Sequence, residues 1–345
     1  MKRRIISVLL PLLFLCMIGY FIPRQQIVYH QEQVSFFAMD TYMTFTVYGT
    51  DGREALRLAQ EKVTELEGLW SVTGQDSEIH KINHSGGQAV EVSTETAGLI
   101  SFALSMAEKT GGALEPTIYP VLTAWGFTTE ENRIPSQQEL TQLLTKVGYG
   151  KVNFDGKNVQ LADGMMLDIG AVGKGYAGDE IVSLLKERGV SSALLDIGGN
   201  IQAVGSKPDG SDWQVGLRDP YLEGIIGVIR ISDRAVVTSG SYERYFIGED
   251  GKHYGHIIDP VTGYPVENDL LSVTVIAGEG KLCDALSTSL FVMGQEKAEE
   301  YWHQHRDFDM ILVTKEGRIY LTEDIAEKFT LDESHKNLDV NVIRE

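Results

Sequence analysis

Cysteine is nearly absent, with Cys16 and Cys283 the two examples in 345 residues. Cys16 falls in an apolar leader, so the body holds one thiol, which excludes an intramolecular disulfide framework and a cysteine zinc cluster. Cys283 therefore reads as a small buried apolar residue. Basic residues are also scarce: 30 Lys and Arg stand against 49 Asp and Glu, a net charge of −19. Beyond residue 24 the balance is 26 against 49, a net −23. A body so acidic is repelled by nucleic acid and anionic lipid, so no nucleic-acid partner is expected. There is no low-complexity tract and no internal repeat. With 43% apolar and 23% charged residues, the body has the composition of a globular fold.

One long apolar run is present. "MKRR" supplies Lys2, Arg3 and Arg4, and residues 5–22 then carry no charge. That length suffices for a membrane-spanning helix, and its leading positive charges favour a cytoplasmic N-terminus and an exported body. We read it as an uncleaved anchor. A cleaved signal peptide lacks an A-x-A-like site, and lipidation at Cys16 lacks a small residue before it, where Leu15 stands. The expected organisation is an anchor or signal segment over 1–24, a linker over 25–36, a domain over 37–322 and a polar C-terminal tail over 323–345.

Within the domain, "TYMTFTVYG" alternates as a half-buried strand does. Leu56, Ala59, Val63, Leu66 and Leu69 recur at helical spacing, and a second helix is expected from an N-cap at Ser93 to Lys109. "SQQE" at 136–139 is a capping box. "VNFDGKNVQLA" is a hairpin turning at Asp155-Gly156. Further strands are expected at 165–169, 193–197, 201–204, 213–218, 226–231, 235–238 and 271–277, and helices at 176–188, 281–293 and 295–304. Strands and helices do not alternate strictly, which points to an α+β class and one intertwined domain.

"LDIGAVGKGYAGD" contains G-x-G-x-x-G as Gly173, Gly175 and Gly178. A dinucleotide fingerprint needs a bare turn aimed at pyrophosphate. Here Lys174 sits among the glycines and Asp168 precedes them, so a nicotinamide site is disfavoured. Lys174 is not followed by Ser or Thr at the spacing a P-loop requires. The glycines read instead as a tight strand-to-helix turn whose N–H donors, with Lys174, suit a phosphate. A second cluster lies in "CDALSTSLFVMG", where Asp284 and Thr288 are one helical turn apart on one face. A carboxylate, a hydroxyl and a loop carbonyl would suit a hard divalent cation completed by phosphate and water. Without a ligand, Asp284 reads as a helix N-terminal charge.

Taken in order, "MDTYMT", "DSEIHKIN", "GGALEPTIYP", "LDIGAVGKGYAGD", "LLDIGGNI", "WQVGLRDP", "VVTSGSYER", "HIIDPVTGYPV" and "DALSTSLFVMG" resemble the ApbE family of FAD:protein FMN transferases, from about Phe37 to Thr322. The resemblance implies a tunnelling-fold-like α+β domain with mixed sheets and packed helices. It also implies Mg²⁺ as cofactor, FAD as substrate and a bacterial extracytoplasmic acceptor flavoprotein. FMN would pass to a Thr hydroxyl of that acceptor as a phosphoester, releasing AMP. By the same resemblance Asp284 and Thr288 are side-chain metal ligands, and Ala171 and Ser287 are carbonyl positions. Met39, Ala113, Leu114, Glu115, Asp168, Lys174, Ile257 and Ile258 fall on FAD-contacting positions. Asp284 and His256 are the candidate catalytic groups. Asp40 and Glu115 depart from the usual Gly and Asp of the family. Two rival readings stay open at this point: a pyrophosphatase that splits FAD into FMN and AMP, and an exported FAD-binding protein. The expected location is the extracytoplasmic face of the bacterial cell membrane.

Overall fold

The computed structural model describes residues 30–129 and 131–345; the expected anchor and the start of the linker lie outside the described residues. The described chain opens on a hairpin of β1 (Gln31–Ala38) and β2 (Thr41–Tyr48). Then come α1 (Gly52–Trp70), α2 (Glu78–Asn83), β3 (Val90–Glu91), α3 (Thr94–Lys109), α4 (Tyr119–Trp125) and α5 (Gln137–Leu144). A small hairpin, β4 (Asn153–Phe154) and β5 (Asn158–Gln160), precedes α6 (Gly170–Glu187). Strands follow as β6 (Ala193–Ile197), β7 (Asn200–Val204), β8 (Trp213–Arg218), β9 (Ile225–Ile231) and β10 (Ala235–Gly240). The ribbon β11 (Tyr245–Ile247) and β12 (His253–Gly255) leads to β13 (Leu270–Ala277). Helices α7 (Gly280–Met293) and α8 (Gln295–Gln304) come next, then β14 (Phe308–Thr314), β15 (Arg318–Thr322), β16 (Phe329–Leu331) and β17 (Asp339–Ile343).

The frame is a nine-stranded sheet ordered β1-β2-β6-β7-β10-β13-β14-β15-β17. The class is α+β, as expected. Strands β13 and β14 are apolar along nearly their whole length because both faces are covered. Val273, Val275, Met310 and Leu312 point into a core with Leu286 and Leu290 of α7 and Trp302 of α8. Ile276, Ile311 and Val313 point the other way, onto Trp213, Val215 and Ile229 of a three-stranded sheet ordered β16-β9-β8. At the opposite end, Met43, Phe45 and Val47 of β2 pack with Ala59 and Val63 of α1 and Ile181 and Leu185 of α6.

Local signals account for much of this. Ser93 Oγ accepts from Thr96 N–H, and Ser136 Oγ from Glu139 N–H, so both expected caps form. Asp155 Oδ1 accepts from the N–H groups of Lys157 and Asn158, and Gly156 takes φ +94°, closing the β4–β5 turn. Cys283 is a fully buried free thiol.

Four expectations need correction. Residues 31–36, expected as linker, belong to β1 and pair with β2. Residues 165–169 form no strand. Asn83 holds this segment with its side chain instead, donating from Nδ2 to Leu167 O at 2.9 Å and accepting from Leu167 N–H at 2.6 Å. A single bridge joins Ile118 to Met166. The glycine stretch is likewise not a turn: α6 begins at Gly170, which places Gly173, Gly175 and Gly178 inside the helix. Finally, residues 323–345 are not a tail. β16 pairs with β9, and β17 closes the large sheet parallel to β15, with Ile343 buried.

Candidate active site

The helical glycines explain how the site is assembled. A methyl group added at Gly175 would lie 2.7 Å from Asp284 Cβ and on top of the Gly280 carbonyl. Contact this close between α6 and α7 is possible only without a Cβ. Gln202 of β7 fills the adjacent gap; its Nε2 donates to Gly175 O at 3.0 Å, and side chains at Gly178 or Gly280 would collide with it. Asp179 of α6 caps α7, its carboxylate accepting from Gly280 N–H at 2.6 Å and Lys281 N–H at 3.0 Å. Burial pushes the Asp179 carboxyl up to about 6, against the pull of those two N–H groups. Helix α7 is thereby fixed in register, with Asp284 and Thr288 facing a cavity of about 1340 Å³.

Asp284 is 5% exposed, and its Oδ2 accepts from Gly175 N–H at 2.8 Å. Burial raises its carboxyl above the usual range, while the Lys174 ammonium and the Gly175 N–H oppose that shift. Asp168 is governed in the same way: burial raises it, and Gly170 N–H, bonded at 2.6 Å, and Lys174 work against burial. One ammonium thus serves two carboxylates. Thr288 Oγ1 lies 3.2 Å from Ser239 Oγ, which also bonds Ser287 Oγ at 2.8 Å. Ser287 is fully buried, also donates to Asp284 O at 3.0 Å, and does not line the cavity.

The other expected residues all line this one cavity: Met39, Ala113, Leu114, Glu115, Asp168, Ala171, Lys174, His256, Ile257, Ile258, Asp284 and Thr288. Met39 and Asp40 form the two-residue turn between β1 and β2, with φ +48° and +56°. Both central positions of such a turn need left-handed backbone, which glycine adopts most readily and which Met39 and Asp40 adopt here. Met39 N–H is tied to Glu67 Oε1 at 2.7 Å. The Glu115 carboxylate braces the loops around it. Its Oε1 accepts from Thr117 N–H at 2.9 Å and from the Thr117 hydroxyl at 2.6 Å, while Oε2 accepts from Tyr149 N–H at 3.0 Å. His256 Nδ1 meets Arg244 O at 3.2 Å, and desolvation lowers the ring's pKa to about 4, so the ring is neutral at physiological pH.

Trp125 is core, donating from Nε1 to Gly263 O at 2.7 Å, and Tyr245 stacks on His253 with centroids 4.8 Å apart. Sequence reasoning did not single out Ser239, Asp179 or Gln202 as site-builders. Ser239 and Gln202 stand inside or beside quoted motifs, but their value lies in pairings across 48 and 27 residues that no spacing reveals.

The donor set suits a hard cation. Asp284 supplies one carboxylate and Thr288 a hydroxyl, while the Ala171 position in the first turn of α6 lines the same cavity. Among the described residues no group of three His, Cys, Asp or Glu side chains is placed to hold a metal.

Comparison with known proteins identifies the family of this chain. The profile of the ApbE family matches residues 39–312. The FAD:protein FMN transferase of Treponema pallidum is 34% identical over 305 residues, covering 82% of this chain and 84% of that protein. The Escherichia coli K12 protein of the same name is 32% identical over 298 residues, with the same coverage of 82% and 84%. The crystal structure of the ApbE protein from Thermotoga maritima superposes with a TM-score of 0.81 at 32% identity, covering 87% of this chain and 99% of that one.

Proposed function

This chain belongs to the ApbE family and is a flavin transferase, and from that premise we propose that it moves FMN from FAD to a threonine hydroxyl of a partner flavoprotein, with Mg²⁺ bound and AMP released. The observation that carries the proposal is the convergence of Asp284, Thr288, Asp168 and Lys174 on one cavity between α6, α7 and the sheet. In the reaction, the threonine oxygen bonds to the FMN phosphorus and the pyrophosphate P–O bond breaks. The bridging oxygen leaves with AMP, and the hydroxyl proton passes to a protein group.

Residues of this chain divide the work. Lys174 offsets the diphosphate charge that an acidic body would otherwise repel. Asp284, Thr288 and the Ala171 carbonyl position would hold Mg²⁺, which when bound polarises phosphoryl oxygens and stabilises the departing phosphate. Asp284, which lines the cavity beside Lys174, is the candidate proton acceptor for the threonine hydroxyl. His256, neutral because desolvation holds its pKa at about 4, acts as a fixed hydrogen-bond partner at the cavity wall. The N-terminal segment would keep this domain at the outer face of the cell membrane, where its acceptor is found.

The test is incubation of the full chain with FAD, MgCl₂ and membrane flavoproteins, read by in-gel flavin fluorescence after denaturation and by mass spectrometry. Flavin covalently attached to a threonine is expected. Free FMN and AMP alone would favour a hydrolase, and intact FAD a binding protein. Protease accessibility of the domain in spheroplasts tests the location.

A further inference from the structure

The expected ligand positions leave one wall of the cavity unused. β8 is the last strand of its sheet and, among the described residues, pairs only with β9. Five consecutive residues, Gln214–Arg218, line the cavity. A cavity lying on a sheet face touches alternate residues, because side chains alternate. Contact with all five means that the cavity runs along the strand's edge, where every second residue offers N–H and C=O groups with no ladder partner. Gly216 at the centre of this edge has no side chain to obstruct approach.

β10 is incompletely paired nearby. Its register with β7 covers only Ala235–Val237, whereas it pairs with β13 through Gly240. Thr238, Ser239 and Gly240 therefore run on with one side open and line the same cavity, and Ser239 is the residue bonded to Thr288. Asn200, at the start of β7, is 1% exposed and lines the cavity with a buried Nδ2 that has no hydrogen-bond partner among the described residues. A buried donor left in that state is costly, which marks the part of the cavity beside Gln202 and α6 as built for a polar occupant. The cavity of about 1340 Å³ also exceeds the usual range of about 300–1,000 Å³ for a single small-molecule site. There is room for a second reactant.

We propose that the edge of β8 receives an extended segment of the acceptor protein as an added strand, which carries the threonine towards Asp284 and Thr288. The inference rests on the transferase reading above. Pairing through main-chain groups supplies affinity for an extended backbone, and contacts to its alternate side chains supply selectivity. The occupant is thus a flexible, extended acceptor loop rather than a preformed helix or a second nucleotide.

The experiment uses the full chain and synthetic peptides copied from around the threonine flavinylated in the assay above, each methylated at a single backbone nitrogen. Methylation at alternate positions is expected to lower peptide flavinylation about tenfold, with the intervening positions nearly unaffected. Uniform tolerance, or loss at consecutive positions, would overturn the added strand. As a second measurement, Gly216→Pro should cut transfer by about tenfold or more while FAD affinity, read by flavin fluorescence, stays within about twofold. Equal loss of FAD affinity would assign this edge to FAD and also overturn the proposal. If wild-type protein flavinylates nothing, the transferase reading fails and takes the inference with it; normal flavinylation without the alternating pattern sinks the inference alone.

Discussion

On one wall of the cavity, α6 and α7 meet through Gly175 and Gly280 with no space for a methyl group, and Asp284, Ser287 and Thr288 each have hydrogen-bond partners. Along another part of the lining, β8 ends its sheet, and its outer edge has no strand partner among the described residues. The first wall devotes its packing to holding a carboxylate and a hydroxyl in fixed relation, as chemistry at a phosphorus centre requires. The second leaves backbone groups available. The contrast suggests a division of labour: the nucleotide, which is always the same, meets the rigid wall, and the protein acceptor meets the open one.

The sharpest way to break that contrast is at Asp284. Asp284→Ala should reduce flavin transfer by about a thousandfold, as loss of a central charge-stabilising group does, with little change in thermal stability. A variant retaining activity in a transfer assay would move the chemistry off this wall. Gly175→Ala should come next, since its added methyl must displace Asp284 Cβ from 2.7 Å. We expect a stability loss of about 1–3 kcal/mol by denaturant titration and transfer reduced by about a hundredfold. Normal activity would mean that close helix contact does not set the site.

His256 allows a finer test through pH. Its folded pKa, lowered to about 4 by desolvation, lies below the ordinary value of 6.5. As pH falls from 6.5 towards 4 the unfolded chain takes up the proton first, so the wild type loses stability across that window. His256→Gln removes this loss, and its melting temperature relative to wild type should improve by a few degrees, about 2–4 °C, between neutral pH and about pH 4.5. An unchanged difference would show that the ring is not desolvated. The smallest effect is expected at Asp40, where φ is +56°. Asp40→Gly should stabilise the protein by about 0.5 kcal/mol by relieving left-handed backbone, without altering transfer; destabilisation in thermal melts would assign the Asp side chain a role in the turn.

Much of the fold was legible in local chemistry. The helices over 52–70 and 94–109, the hairpin at Asp155-Gly156 and the strand at 193–197 follow from periodicity, caps and turn residues that act within a few positions. The glycine motif was misplaced because glycine serves both a turn and a close helix contact, and the partner that decides between them, Gly280, lies 105 residues away in sequence. Residues 165–169 carry strand-like composition, yet Asn83, 84 residues before Leu167, satisfies the backbone of Leu167 with its side chain. The C-terminal strand was hidden because its apolar residues Val340, Val342 and Ile343 are few and framed by Asp339 and Arg344, and their partner strand is not adjacent in sequence. The candidate site was legible chiefly by resemblance; spacing alone indicated Asp284 and Thr288, while Ser239 and Asp179 needed the tertiary pairing.

Gln202 has a lasting consequence for how such a protein can diversify. Its carboxamide occupies the space that side chains at Gly178 and Gly280 would need, while holding the Gly175 carbonyl. These positions are coupled: an alanine at 178 or 280 requires the 202 carboxamide to move aside or shorten, and a displaced or shorter 202 abandons a helix carbonyl. Descendants should therefore inherit the quartet intact or exchange it as a block, and a survey of natural variants would show the four positions changing in concert or not at all.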